Sequence, residues 1–491
     1  MAISATQADR LKAGLQKFTA QFAIFDAPSI SFSNDSGGAL ADHPLVVIMP
    51  RYAIVAPSAT LQLDASGSID VPGGGITAYS WTIVSGGGSL SSTTIANPIF
   101  TAPASTDTTK LSCQVTGANG TTTGYCYIRT QSSGQDIAEI TACKGSATGF
   151  KGWQLKAKLP KPASVSDFAQ DKILVFHVDD TWDGTSDTFS SYGRPQNVMI
   201  GIVRKGSAHE SADHKWVVVD VESPTVLLKG NTARIEETLW SQTASTGVHS
   251  TANFTPTDAI FHLLRHHTTW WEYFNVYKLF DDYGNPVANL KVQAGPVLDL
   301  IEDIAARTLC VIFCDRHGQM LVVPDIDARY DDYYWSSRGS AMTFVEDHWL
   351  DIDAEYIRPD QVTQVNASGI KSDLTEIAGG YPVTHSAGGW PVTGKNVKGL
   401  ICDSESTLDD WAHGLYNKEN VDYLVTLQLP LNHSFDIYDE IAITWTSEQT
   451  GVGINWVAST FWITDISYAI DLDTRQWRTT FKLRLLMENV S

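Results

Sequence analysis

Residues Gly295–Pro324 read GPVLDLIEDIAARTLCVIFCDRHGQMLVVP, and two different periodicities follow each other in this one stretch. Val297, Leu300, Ile301, Ile304, Ala305 and Thr308 recur at helical spacing, while Asp299, Glu302, Asp303 and Arg307 fall on the opposite side. Acidic residues early and Arg307 late suit the helix dipole. The period then drops to two. Leu309–Cys314 and Gln319–Val323 are β-rich runs joined by Asp315, Arg316, His317 and Gly318, with glycine available for a positive φ. The stretch predicts an amphipathic helix feeding directly into a β-hairpin.

Outward from this unit, Thr, Val and Ile dominate many short alternating runs, and strongly periodic helical segments are few. A chain of 491 residues exceeds what one core serves, so three or four domains are expected. The fold class is mainly β with α+β parts.

Charge narrows the function. Fifty-five acidic residues against 34 basic give −21, and no Lys/Arg run exceeds two residues. Phosphate neutralisation needs clustered Lys and Arg, so a nucleic-acid-binding surface is not expected. The acidic excess serves solubility, or lines a conduit to which DNA does not stick. Six cysteines in this length do not make a disulfide scaffold, and no CxxC occurs. Cys113 and Cys126 lie on what read as adjacent strands, where a reduced core pair or a bridge is open. Cys310 and Cys314 share one face of one strand and are too far apart to join. The N-terminal stretch lacks the apolar core of a signal peptide, and no run approaches the ~18 residues needed to cross a bilayer. The expectation is a protein made and folded inside a cell without Sec export.

Candidate sites are few. Asp179, Asp180 and Asp183 lie in DDTWDGTSD, read as a solvated loop rather than a glycosidase pair. His266 and His267 follow each other on a predicted helix over Phe261–His267, where neighbours point ~100° apart and serve one metal ion badly. They are read as surface or packing residues. The aromatic run Trp270, Trp271, Tyr273, Phe274, Tyr277 and Phe280 is too dense to be all exposed, and is expected between domains or subunits. Asp325, Asp327, Asp331 and Asp332 lack the glycine and final glutamate of an EF-hand loop. No phosphate loop, nucleophile elbow or HExxH occurs. The sequence therefore assigns no catalytic residue, no cofactor and no metal.

The run LQLDASGSIDVPGGGITAYSWTI, Leu61–Ile83, is continued by Asn97–Pro103 and by Leu111–Thr116. It resembles a PKD domain, which implies an immunoglobulin-like β-sandwich with Trp81 plugging its core. Asp64, Ser68 and Asp70 are read as closing a turn, with calcium as the alternative. Strands are further predicted over Trp153–Ala157, Lys172–Val178, Asn197–Val203 and Lys215–Val221. Near the C-terminus, a helix capped by Ser406 or Thr407 precedes strands over Tyr423–Leu429, Glu440–Trp445, Trp456–Ile463 with Ser467–Ile470, and Thr479–Met487.

This order, with the pattern from Phe461 to Leu483 and the segment Leu431–Thr444, resembles the tail baseplate hub proteins of phages, the late control protein D-like family. A family member carries a glycine near the turn that Tyr438 and Asp439 occupy here. The resemblance implies two tail-tube-like β-barrels around a small α/β domain. Residues 1–50 supply an N-terminal segment of the first barrel, and 51–130 the inserted sandwich. Residues 131–255 form the first barrel, 256–400 the central α/β domain and 401–491 the second barrel. It further implies a homotrimer joining a hexameric tail tube, or distal tail protein, to a trimeric spike or central fibre. A tape-measure protein would be a further partner, and DNA would pass without specific binding. The sandwich is expected to project outward and to be replaceable between Arg51 and Gln131. The alternative is a PKD-bearing glycan-binding or surface adhesin protein; the missing export signal and catalytic set count against it. An adaptor elsewhere in a virion is a third reading.

Overall fold

The structure, a computed structural model, describes residues 18–26, 44–70, 75–118, 120–131, 139–146, 154–160, 163–180, 197–230, 232–233, 237–239, 260, 263–264, 267–268, 270–278, 290–292, 294–315, 317–325, 342–356, 362–371, 375–382, 394–402, 404–419, 423–430, 435–446, 455–471 and 476–485. It is mainly β, with few helices and several sheets.

A 13-stranded sheet organises the chain. Its path runs Phe18–Asp26, Lys172–Asp180, Asn197–Val203, Trp216–Glu222, Gln154–Pro160, Glu139–Ser146, Asn455–Asp471, Gln476–Leu485, Tyr423–Pro430 and Asp351–Tyr356. Glu440–Thr446 branches off Asn455–Asp471, and Met342–Phe344 pairs in parallel with it. Strands from the two ends of the sequence meet where Glu139–Ser146 lies antiparallel to Asn455–Asp471, with Ser467 opposite Lys144. Two closed barrels were the expectation; among the described residues the strands form one open path, whose end strands each have a single partner.

Alternation explains why this sheet is buried on both sides around Phe18–Asp26, Lys172–Asp180 and Asn197–Val203. Phe22, Leu174 and Phe176 enter one core together with Val219, Leu427, Ile463, Phe481 and Leu483. Their neighbours Ala23, Phe25, Ile173 and Val175 enter a second core on the other face. A side-chain period of two delivers consecutive apolar residues to opposite cores. A near-continuous apolar run such as Lys172–Asp180, KILVFHVDD, is what a strand covered on both faces requires. Asp179 and Asp180, read as loop residues, are the last two positions of that strand, while Asp183 lies outside the described residues.

The central helix spans Val297–Arg307 and buries Val297, Leu298, Ile301, Ile304 and Ala305 in the second core. Its hairpin pairs Cys310–Cys314 with Met320–Pro324, within one residue of the sequence reading, and Val276–Lys278 adds in parallel. A second helix, Glu405–Glu419, lays Leu408, Trp411, Ala412 and Leu415 on a three-stranded sheet of Glu376–Tyr381, Gln364–Ile370 and Gly394–Ile401. It starts before the predicted caps, because Ser404 Oγ accepts from the Thr407 amide at 3.1 Å. Ser404, Ser406 and Thr407 are equally good caps by residue type, and only the fold chooses among them.

Residues from Val46 to Ile128 share a separate core between a four-stranded and a three-stranded sheet. Trp81 is 2% exposed there, and its Nε1 donates to the Ile95 carbonyl at 2.9 Å.

At the turn where the resemblance expects glycine, Tyr438 has φ +67°. A left-handed conformation costs a non-glycine residue ~1–2 kcal/mol. The compensation is visible: the Tyr438 amide donates to Ile463 O at 2.9 Å, and the buried ring lies 5.5 Å from Phe313. Losing a buried aromatic side chain costs ~3–5 kcal/mol, more than the strain relieved. Tyr438→Gly is therefore expected to lower unfolding stability by ~2–3 kcal/mol. Urea titration checks this, and an unchanged or raised midpoint would show that the ring contributes nothing.

Candidate functional site

No enclosed constellation of reactive side chains emerges among the described residues, so the candidate site is the set of joints that fix the modules to one another. The first is the hairpin. Val311, Phe313, Leu321 and Val323 face the core of the large sheet, whereas Cys310, Ile312, Cys314, Met320 and Val322 face the helix core. Its turn is closed by Asp315, which is 5% exposed. Asp315 Oδ1 accepts from the His317 and Gln319 amides at 2.9 and 2.8 Å, and Oδ2 accepts from Gln319 Nε2 at 2.9 Å. Gly318 takes φ +73° and donates to the Asp315 carbonyl. The Asp-x-x-Gly signal seen in the sequence is thus a register pin.

The second joint holds the sandwich. Arg51, 2% exposed, donates from Nε to Asn275 Oδ1 at 2.7 Å and from Nη1 to Tyr125 O at 2.6 Å. Asn275 also receives the Ile48 amide at 3.1 Å and donates to the Ile48 carbonyl at 2.7 Å. Its own carbonyl accepts from the Met320 amide at 2.9 Å. One asparagine therefore binds the segment that leads into Tyr52–Val55, a buried guanidinium and the hairpin. Burial lowers the Arg51 pKa from its ordinary value, since desolvation penalises the charged form.

Aromatic rings surround this polar centre. Tyr52 stacks on Tyr127 at 5.3 Å and 7°, and approaches Phe25 at 5.4 Å and Phe274 at 6.0 Å. Phe274 in turn meets Trp270 at 4.7 Å. Part of the predicted aromatic run thus packs between modules, as its density implied. Tyr52 belongs to the second core and Tyr127 packs against it, so the segment expected to be replaceable carries side chains that this core uses.

The remaining sequence candidates resolve into packing. Asp64 Oδ1 accepts from the Ser66 amide and hydroxyl at 2.8 and 2.5 Å. Ser68 Oγ accepts from Val47 N at 3.0 Å, and Asp70 Oδ2 from Ala118 N at 2.8 Å. Asp64 closes its local turn as expected, whereas Ser68 and Asp70 hold backbone 21 and 48 positions away. His267 is buried, and His266 lies outside the described residues. Cys113, Cys126, Cys310 and Cys314 are free and buried, and burial pushes the thiols of Cys113, Cys126 and Cys314 up to about 12. Such thiols are inert near neutral pH. Asp325 pairs with Lys418 at 3.3 Å, linking the hairpin's end to the second helix; Asp327, Asp331 and Asp332 lie outside the described residues. Among the described residues no group of three or more His, Cys, Asp or Glu is placed to hold a metal ion, and no helix is long and apolar enough to cross a membrane.

Sequence reasoning missed Arg51 and Asn275, which lie 224 positions apart. A single arginine beside an apolar run and an asparagine inside an aromatic run were the only local signals.

No protein family and no curated protein matches the sequence. Among solved structures, the chain is similar to the tail protein from Neisseria meningitidis, at 12% identity over 76% of this chain and 95% of that one, with a TM-score of 0.46. It is similar to the prophage MuSo2 tail protein from Shewanella oneidensis, at 11% identity over 71% and 94%, TM-score 0.44. A prophage tail protein from Listeria monocytogenes follows at 10% identity over 74% and 92%, TM-score 0.38. These likenesses concern the course of the chain and assign no activity.

Asn275→Ala removes an acceptor from a buried guanidinium and both partners of Ile48. Leaving such groups unpaired costs ~2–3 kcal/mol. Hydrogen exchange is expected to speed up at the Ile48 amide while the Cys113 amide, inside the sandwich, stays protected. Equal acceleration at both would mean that the sandwich unfolds and is not merely undocked.

Proposed function

We propose that this chain is a structural virion protein, a phage tail baseplate hub, carrying a PKD-type immunoglobulin-like domain. It acts as a homotrimer that joins a hexameric tail tube to a trimeric spike or central fibre and forms part of the DNA conduit. The residues that carry the reading are the helix–hairpin unit Gly295–Pro324 and the closing pattern Phe461–Leu483.

One structural observation supports it above others. Strands of the two sequence regions proposed as tube-like modules are joined edge to edge by Glu139–Ser146 and Asn455–Asp471. A ladder of backbone hydrogen bonds fixes the two modules relative to each other far more tightly than a linker would. Two modules per chain at a fixed angle, repeated by a three-fold axis, present six similar elements to a six-fold tube. The chain itself needs only three-fold symmetry to meet a spike. In this reading the protein performs no chemistry; its work is to match symmetries and bear load. Its partners are the tube or distal tail protein on one side, the spike or fibre on the other, and the tape-measure protein inside. It is placed at the tail tip of the virion after assembly in the host cytoplasm.

The purified chain is expected to give a trimer by mass photometry, at three times the 53.6 kDa chain mass. A stable hexamer, or a monomer at every concentration, would contradict the proposal.

A further inference from the structure

The charge of the chain is unevenly divided. Residues 44–131 hold three acidic side chains, Asp64, Asp70 and Asp107, against Arg51, Lys110 and Arg129, so the excess of −21 lies wholly outside them. The three carboxylates are occupied by backbone: Asp64 by the Ser66 amide, Asp70 by the Ala118 amide, and Asp107 by the Gly87 and Thr108 amides. Arg51 is buried at the joint. Lys110 and Arg129 remain, half-buried on the outer face of the four-stranded sheet, because the alternate positions Leu111, Cys113, Cys126 and Ile128 fill the sandwich core. Lys110 stands opposite Tyr127 and Arg129 opposite Thr108. The two cations are thus diagonal neighbours on adjacent strands, ~7–8 Å apart.

Lys110 Nζ lies 4.1 Å from the centre of the Tyr125 ring and 5.6 Å from that of Tyr127, and Arg129 Nη1 donates to Thr108 Oγ1 at 2.8 Å. These contacts orient the cations without neutralising them: among the described residues neither has a carboxylate within 4.0 Å. The sandwich that carries them is tied to one end of the large sheet. Gln131 Nε2 donates to the Phe22 carbonyl at 3.3 Å and Tyr52 meets Phe25 at 5.4 Å, both on the end strand Phe18–Asp26. The opposite end strand is Asp351–Tyr356, where Asp351, Asp353 and Glu355 are exposed and Ile352 and Ala354 pack against the core. Among the described residues these carboxylates also have no ion pair within 4.0 Å. Alternate positions on a strand are ~6.7 Å apart, close to the diagonal spacing of the two cations. A basic pair at one end and an acidic row at the other suit a second copy placed head to tail. Such a contact joins unlike surfaces, so it closes into a ring and not into a two-fold pair.

We propose that Asp351, Asp353 and Glu355 of one copy dock on Lys110 and Arg129 of the next, which makes the sandwich a clasp between neighbouring chains. This inference rests on the reading of the chain as a homotrimer, and gives the sandwich a role in it. Acidic side chains on an end strand also discourage edge-to-edge pairing, and a lysine over tyrosine rings contributes to packing. Those lesser roles become one outcome of the test.

The test uses the full chain, with the concentration needed for half-assembly read by mass photometry. One variant carries Lys110→Glu and Arg129→Glu, a second Asp351→Lys and Asp353→Lys, and a third all four. Each reversed pair is expected to raise the half-assembly concentration about tenfold, and the fourfold variant to return it towards the wild type, since the signs match again. If the wild type is a trimer and neither pair changes its assembly, the docking is overturned and the charges serve only packing and edge protection. If only one pair matters, or if the fourfold variant does not recover, the two patches do not meet and the proposal also falls. A wild type that stays monomeric at every concentration would overturn the ring reading, and this contact with it.

Discussion

A β-hairpin buried on both faces is the constraint on which the rest of this structure depends. Cys310–Cys314 and Met320–Pro324 send alternate side chains into two different cores, so the hairpin is at once the floor of one and the ceiling of the other. A shift of one residue would exchange Phe313 for Ile312 and reverse every contact on both sides. The carboxylate of Asp315, holding two amides and one side-chain amide, fixes the register at the turn. The central helix covers one side, Tyr438 braces the other, and the aromatic cluster at Trp270 and Phe274 packs into the helix-side core.

The same logic explains how the sandwich around Trp81 is joined to its neighbours. Apolar contacts alone are tolerant of sliding, because dispersion and hydrophobic burial have little directionality. The Arg51–Asn275 centre adds direction: a planar guanidinium and a carboxamide each have partners on more than one element, and those partners coincide in one orientation. Desolvating the guanidinium is unfavourable, and its hydrogen bonds offset that cost. The stacked pair Tyr52–Tyr127 excludes water around it. The sandwich is held at a set angle, so whatever its outer surface meets is presented in a set direction relative to the large sheet.

What could be read from the sequence was local. The helix at Val297–Arg307 and its hairpin follow from periodicities within thirty residues, and Asn197–Val203 was placed to the residue. The density of rings from Trp270 onward revealed an inter-module surface. What failed to show was distant in the chain. Nothing near Glu139–Ser146 says that its partner is Asn455–Asp471. Arg51 and Asn275 are 224 positions apart, and no local pattern pairs them. Tyr438 departs from the glycine that local turn rules favour because its ring is held by Phe313, from another part of the fold. The two-barrel expectation came from resemblance, and the single open path of strands comes from that same long-range pairing.

In the proposed function each chain carries two fused sheet modules, so that three chains can meet a six-fold tube. A cryo-electron microscopy reconstruction of the particle that contains this protein tests it most directly. Three copies at the tail tip, between tube and spike, with both modules of each copy facing the tube ring, is the predicted result. Six copies in that ring, or copies found only on the outside of the particle, would contradict it.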